Sequence, residues 1–175
     1  SDLQPLFKAW GVQMLPAQVL ADASYAMSVQ AAAASATVRH PGWVSLPRAA
    51  LDQDDVVTAG LESLTLATAG ILEPLPGAST RFVPLLQSSA YAMPVATERF
   101  ESLSNPQTLY RELQPTGERY TLAARLSGPA NSAYPQGIEG IKDGLQAADS
   151  INVIVVADTD LLSDRMWVQV QDFFG

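Results

Sequence analysis

Apolar and polar positions divide the chain into short segments, and the sharpest change falls at residues 151–164. Ile151-Asn152-Val153-Ile154-Val155-Val156-Ala157 is rich in β-branched residues and free of charge, then gives way to Asp158, Asp160 and Asp164. Such a run predicts a central strand covered on both faces, and its abrupt polar end predicts the carboxyl edge of an α/β sheet. That edge is where ligands bind in open α/β folds. Further strands are expected at Gln18–Ala21, at Phe82–Ser89 and at Tyr120–Ser127. Leu61–Ala69 alternates at the period of a strand with one wet face. The strands near Leu64–Ala69, Phe82–Gln87 and Tyr120–Leu126 are expected in one sheet with Ile151–Ala157. Pro84 restricts its segment to a strand start or an edge.

Leu3, Leu6, Phe7 and Trp10 recur at helical spacing, so a short amphipathic helix is expected from about Asp2 to Trp10, stopped by Gly11. The alanine-rich stretch up to Thr37 is ambiguous between helix and strand, whereas Thr37-Val38 leading into His40-Pro41-Gly42-Trp43 reads as extended and then turning. Asp52–Asp55 is an acidic turn. A short helix fits Leu109–Leu113, Gly128–Gly144 reads as a mobile loop, and a terminal helix is expected from Met166-Trp167. Strands separated by helices or loops give an α/β fold in a single domain, residues 1–175.

Composition narrows the function. A chain of 175 residues with 47% hydrophobic content can bury a full core. Its net charge of -8 disfavours nucleic acid as a partner, because phosphate binding rests on clustered Lys and Arg. There is no cysteine, which removes thiolate metal sites and cysteine nucleophiles together. No segment has the length and apolarity of a transmembrane helix. The chain opens Ser1-Asp2-Leu3 and closes Phe173-Phe174-Gly175, which we read as the ends of an excised fragment, so that any anchor of a larger parent would lie outside this sequence.

Candidate chemistry gathers at two strand ends. Ser88, Ser89 and Tyr91 follow one apolar strand and offer neutral donors, and Asp158 and Asp160 follow another. On a shared sheet edge these five residues would form a polar ligand site. Asp158, Asp160 and Asp164 also have the character of hard oxygen ligands, but a calcium loop would need glycine where Ser163 stands and Glu where Gln169 stands. Capping of a following helix by Asp160 or Ser163 explains these acids with fewer assumptions, so no metal is expected. His40 is the single histidine, and a Ser-His pair would have to join it to Ser88 or Ser89, neither of which lies in a G-x-S-x-G elbow. Trp10, Trp43, Trp167, Phe173 and Phe174 are either core or a partner-binding face.

Lys8-Ala9-Trp10-Gly11-Val12, Val19-Leu20-Ala21-Asp22, His40-Pro41-Gly42-Trp43, Leu85-Leu86-Gln87-Ser88-Ser89 and the run from Val155 to Asp164, in that order and spacing, resemble the auxiliary proteins of an uncharacterised class of ABC transport systems, related to the gliding-motility transporter component. The resemblance covers almost the whole chain. It implies a Rossmann-like unit, distantly similar to class I glutamine amidotransferase-like domains, with flanking helices and a sheet lacking its first strands. It also implies a place outside the cytoplasmic membrane, on the periplasmic side, with an ABC ATPase and its membrane subunits as partners. Amidotransferase chemistry itself needs a cysteine thiolate, which this chain lacks. Neither G-x-G-x-x-G nor the Walker pattern occurs, and Gly137-Ile138-Glu139-Gly140 lacks the strand, helix and Lys of a phosphate loop. The reading is a non-enzymatic accessory domain without a cofactor. Its alternatives are a hydrolase or metal-dependent enzyme at the Asp158 and Ser88 edge, and a solute-binding domain using that edge without chemistry.

Overall fold

Helix α1 (Gln4–Ala9) turns Phe7 into the core and ends where Trp10 and Gly11 donate to the Leu6 and Lys8 carbonyls. Gly11 takes φ +73°, and a Cβ there would lie 2.4 Å from the Ala78 Cβ, so glycine is required for conformation and space together. The computed structural model describes residues 3–30, 37–103, 105–140 and 144–164.

The described strands form three antiparallel sheets. The largest contains β1 (Val12–Met14), β6 (Leu72–Pro74), β7 (Arg81–Gln87), β9 (Thr121–Asn131) and β10 (Ala147–Val156). The second pairs β2 (Gln18–Asp22) with β8 (Ala92–Ala96). The third is β3 (Ala26–Gln30), β4 (Thr37–Pro47) and β5 (Ser63–Ala67), in that order. Two short helices, α2 (Thr97–Glu101) and α3 (Pro106–Glu112), follow β8. Asn105 caps α3 by accepting from the Gln107 N–H at 3.0 Å, and Leu109 is its buried anchor.

The α/β expectation, whether Rossmann-like or amidotransferase-like, is therefore overturned. Every strand pair in the three sheets is antiparallel, and the described helices are five to seven residues long, too short to cover a sheet face as crossover helices do. Ile151–Val156 does lie in a strand, β10, with Ala157 just beyond its end, but the strand is not central. Among the described residues β10 pairs only with β9. Its two faces explain the misleading pattern: Ile151, Val153, Val155 and Ala157 pack with Phe7, Val12, Leu72 and Leu126, while Ile154 and Val156 pack toward the cluster of Leu20, Leu46, Leu66 and Leu122. Apolar cover on both faces says nothing of strand direction or of pairing on both edges.

The central strand is β9, which pairs with β6, β7 and β10 and buries Thr121, Leu122, Ala123, Ala124 and Leu126. Leu64–Ala69 belongs largely to β5 in the third sheet rather than beside β7, β9 and β10. Pro84 lies inside β7, tolerated because among the described strands β7 pairs with β9 on one side. Strand β9 runs on through Gly128 and Pro129 to Asn131, so the expected loop begins later than Gly128. The expected terminal helix from Met166, with Trp167, Phe173 and Phe174, lies outside the described residues, as do residues 31–36 of the alanine-rich stretch.

His40 is not on a turn. It lies within β4, next to a bulge: Met27 pairs with His40 and Ala26 with Val44, so Pro41, Gly42 and Trp43 are extra on the β4 side. A Cβ on Gly42 would meet Phe100 Cε1 of α2 at 2.3 Å, so the bulge brings backbone directly against an aromatic ring. The acidic turn is held over the largest sheet by Arg125 of β9, whose Nε and Nη2 reach the two Asp55 oxygens at 2.6 and 2.8 Å. That two-pronged bond lowers the Asp55 pKa to about 2, chiefly through hydrogen bonding to Arg125. Among the described residues no helix is long and apolar enough to cross a membrane.

Candidate functional site

Strands β7 and β10 both run antiparallel to β9, so their carboxyl ends lie toward the same end of the largest sheet. Ser88, Ser89 and Tyr91 follow β7, and Asp158 and Asp160 follow β10, yet the two sets serve different joints.

Ser88 and Ser89 are buried and engaged in hydrogen bonds within the fold. Ser88 Oγ donates to the Ser89 carbonyl at 2.9 Å and accepts from the Tyr120 N–H at 2.8 Å. Ser89 donates from both its N–H and its Oγ to the carboxylate of Asp22, at 2.7 Å each. Asp22 ends β2, is fully buried, and also accepts from the N–H groups of Ser24 and Tyr25 at 2.8 and 3.0 Å. Four donors thus satisfy one buried carboxylate. The joint locks the turn after β2 to the turn between β7 and β8. Tyr91 is exposed and takes part through its backbone, its N–H donating to Ser89 Oγ at 3.0 Å and its carbonyl accepting from Ala23.

Asp158 makes the second joint. One carboxylate oxygen accepts from the Ala67 N–H at 2.8 Å, tying β10 to the last residue of β5, and the other accepts from the Asp160 N–H at 2.7 Å. Burial pushes its pKa up, against the N–H bonds from Ala67, Asp160 and Leu161 that favour the charged form. Residues 160–162 form a single 3-10 turn. The N-cap position of this turn is Thr159, not Asp160 or Ser163, and it makes no side-chain cap bond; Asp158, one residue before it, instead accepts from the Asp160 N–H.

A cavity of about 500 Å³ opens beside this joint. Its apolar wall includes Phe7, Met14, Leu15, Val19 and Val156, and its polar rim includes Gln18, Thr68, Thr97, Asp158 and Asp160. Ser88, Ser89 and Tyr91 do not line it, so the five predicted site residues do not converge on one ligand site. The described lining has two carboxylates and no Lys, Arg or His, which suits a neutral or cationic group over an anion. Ala17 and Thr68 also line it, and they are the non-glycine residues of positive φ among those described, at 51° and 54°. The left-handed conformation costs a side-chain-bearing residue roughly 1–2 kcal/mol. It is held here by bonds from Thr97 N–H to the Ala17 carbonyl and from Thr68 N–H to the Gly42 carbonyl, at 3.0 and 2.7 Å. Backbone strain is thus concentrated along the cavity wall.

His40 stands apart from both joints. Its ring lies 5.7 Å from Trp43 and 6.2 Å from Phe100, centroid to centroid, and its Nδ1 is buried with no hydrogen-bond partner. Burial holds its pKa below the ordinary histidine value. The serines spend their polar atoms elsewhere, and no Ser-His hydrogen bond forms. Among the described residues no three His, Asp or Glu side chains are grouped to hold a metal.

Sequence reasoning missed three participants: Asp22, Arg125 with Asp55, and the strained Ala17 and Thr68. Asp22 carried a signal, an acid directly after the apolar run Val19-Leu20-Ala21. Ala17 carried none. Segments that shared the resemblance meet in space, Asp22 with Ser89 at one joint and Asp158 beside the strand that follows the His40-Pro41-Gly42-Trp43 bulge. The family described as ABC-type uncharacterized transport system matches residues 1–175. The chain belongs to this family. It is accordingly an auxiliary component of an ABC-type transport system. No match was found among curated proteins or among solved structures.

Proposed function

We propose that this domain serves its ABC transport system without catalysing a reaction, outside the cytoplasmic membrane, by contacting the ATPase-bearing complex or holding a ligand in the cavity beside Asp158. Family membership over the whole chain carries the accessory role. The non-catalytic part is supported by where the reactive side chains are spent: Ser88, Ser89, Asp22 and Asp158 each serve backbone N–H or carbonyl groups at joints between sheets. Kinship with the gliding-motility transporter component and a periplasmic location rest on the resemblance of the quoted segments. Solute binding is the second reading, favoured by the strained, carboxylate-rimmed cavity. A panel of model esters, amides and nucleotides tests the reading. Turnover at the uncatalysed rate is expected, and turnover that disappears in Ser88→Ala or His40→Ala would overturn it.

A further inference from the structure

Sheet edges invite strand addition, and proteins ordinarily protect them with charge, proline, bulges or cover. Strand β7 is protected: Pro84 interrupts it, Leu51 bridges to Leu86, and the Asp52 N–H donates to the Leu85 carbonyl. Among the described residues none pairs with the outer edge of strand β10 along Ile151–Val156. Its register shift lies before Ile151, and its outward tie among the described residues comes beyond its end, from the Gly70 N–H to the Ala157 carbonyl at 2.7 Å. The Ala157 N–H donates to the Leu122 carbonyl across the β9 side. In an antiparallel ladder bonded and non-bonded residues alternate, so the N–H and C=O groups of Asn152, Ile154 and Val156 turn away from β9. These six residues carry no charge and no proline, the composition that pairs most readily with another strand.

We propose that the outer edge of β10 receives an extended segment of a partner protein by antiparallel strand addition. Asp149 lies on one side of the open run and Asp158 and Asp160 on the other, within a chain of net charge -8. This polarity selects an occupant with a neutral, β-branched middle and Lys or Arg at its ends, and it opposes a second copy, whose own acids would fall near these. Main-chain bonds supply the affinity, and the basic ends fix the position. The surface stands whether or not the partner is a transporter subunit.

Amide hydrogen exchange on the 175-residue chain tests this, with the synthetic peptide Lys-Val-Thr-Val-Thr-Val-Lys as probe. Free protein should exchange Asn152, Ile154 and Val156 faster than Val153 and Val155. Saturating peptide should slow those three amides by about tenfold or more, with Val153 and Val155 changed little. A peptide N-methylated at alternate residues, and one with Glu at both ends, should lose the effect. The proposal is overturned by equal protection of all five amides in the free protein, by no binding at millimolar peptide, or by binding that survives N-methylation. Concentration-dependent self-association protecting the same amides without peptide would assign the edge to a second copy and overturn the stated occupant.

Discussion

Asp22 is the residue on which most backbone depends, because its fully buried carboxylate answers three N–H groups and one hydroxyl, those of Ser89 on the buried side and those of Ser24 and Tyr25 nearer the surface. Asp22→Ala leaves all four unsatisfied, at about 1–3 kcal/mol for each buried group that finds no substitute. Ser89→Ala removes one donor to Asp22 and the acceptor of the Tyr91 N–H, and should cost about 1–2 kcal/mol. Urea unfolding should therefore rank Asp22→Ala well below Ser89→Ala. Equal midpoints would show that the carboxylate is dispensable. His40 supplies a pH dependence. Its folded pKa lies below the ordinary 6.5, so above 6.5 the neutral ring is shared by both states and stability is full. As pH falls below 6.5 the unfolded chain gains the proton first, and stability declines until the folded pKa is reached. His40→Phe should flatten this decline in unfolding midpoints between about pH 7.5 and pH 5. An unchanged slope would place the dependence elsewhere. Of these residues the sequence exposed the types but not the partners: Ser89 and Asp22 are 67 positions apart, and no local pattern joins them.

At the scale of elements, the bulge in β4 sets how α2 sits on the third sheet. Gly42 gives way to the Phe100 ring, so Gly42→Ala overpacks the contact and should destabilise by about 1–3 kcal/mol. The same substitution in a Phe100→Leu background should cost less, and an equal cost in both backgrounds would break the link between bulge and helix. Strand positions were legible because alternation and β-branched runs report burial directly, as at β2, β5, β7, β9 and β10. Strands β1 and β6 are three residues long and stay hidden, since so short a run has no measurable period. Strand β8 is as long as β2 and β5, but its mixed run Ala92-Met93-Pro94-Val95-Ala96 shows no alternation. Neighbour and direction were not legible. The β10 pattern arose from two apolar clusters on opposite faces of a strand at the sheet edge, and identical residues would suit a central parallel strand.

At the scale of the whole molecule, the fully buried Asp22 and the half-buried Asp158 tie the three antiparallel sheets together. Asp22 links the second sheet to the chain leaving β7, Asp158 links the largest sheet to the third, and Arg125 pins the acidic turn onto β9. Beside the Asp158 joint lies the carboxylate-rimmed cavity, with Ala17 and Thr68 at positive φ on its wall. The family supplies the setting, and at these joints Ser88, Ser89, Asp22 and Asp158 are engaged in hydrogen bonds within the fold. Affinity capture of the native protein from its membrane, with the bound proteins identified, tests the central claim most directly. Recovery of an ABC ATPase together with its membrane subunit is the predicted result, and recovery of the protein with neither would contradict the accessory role.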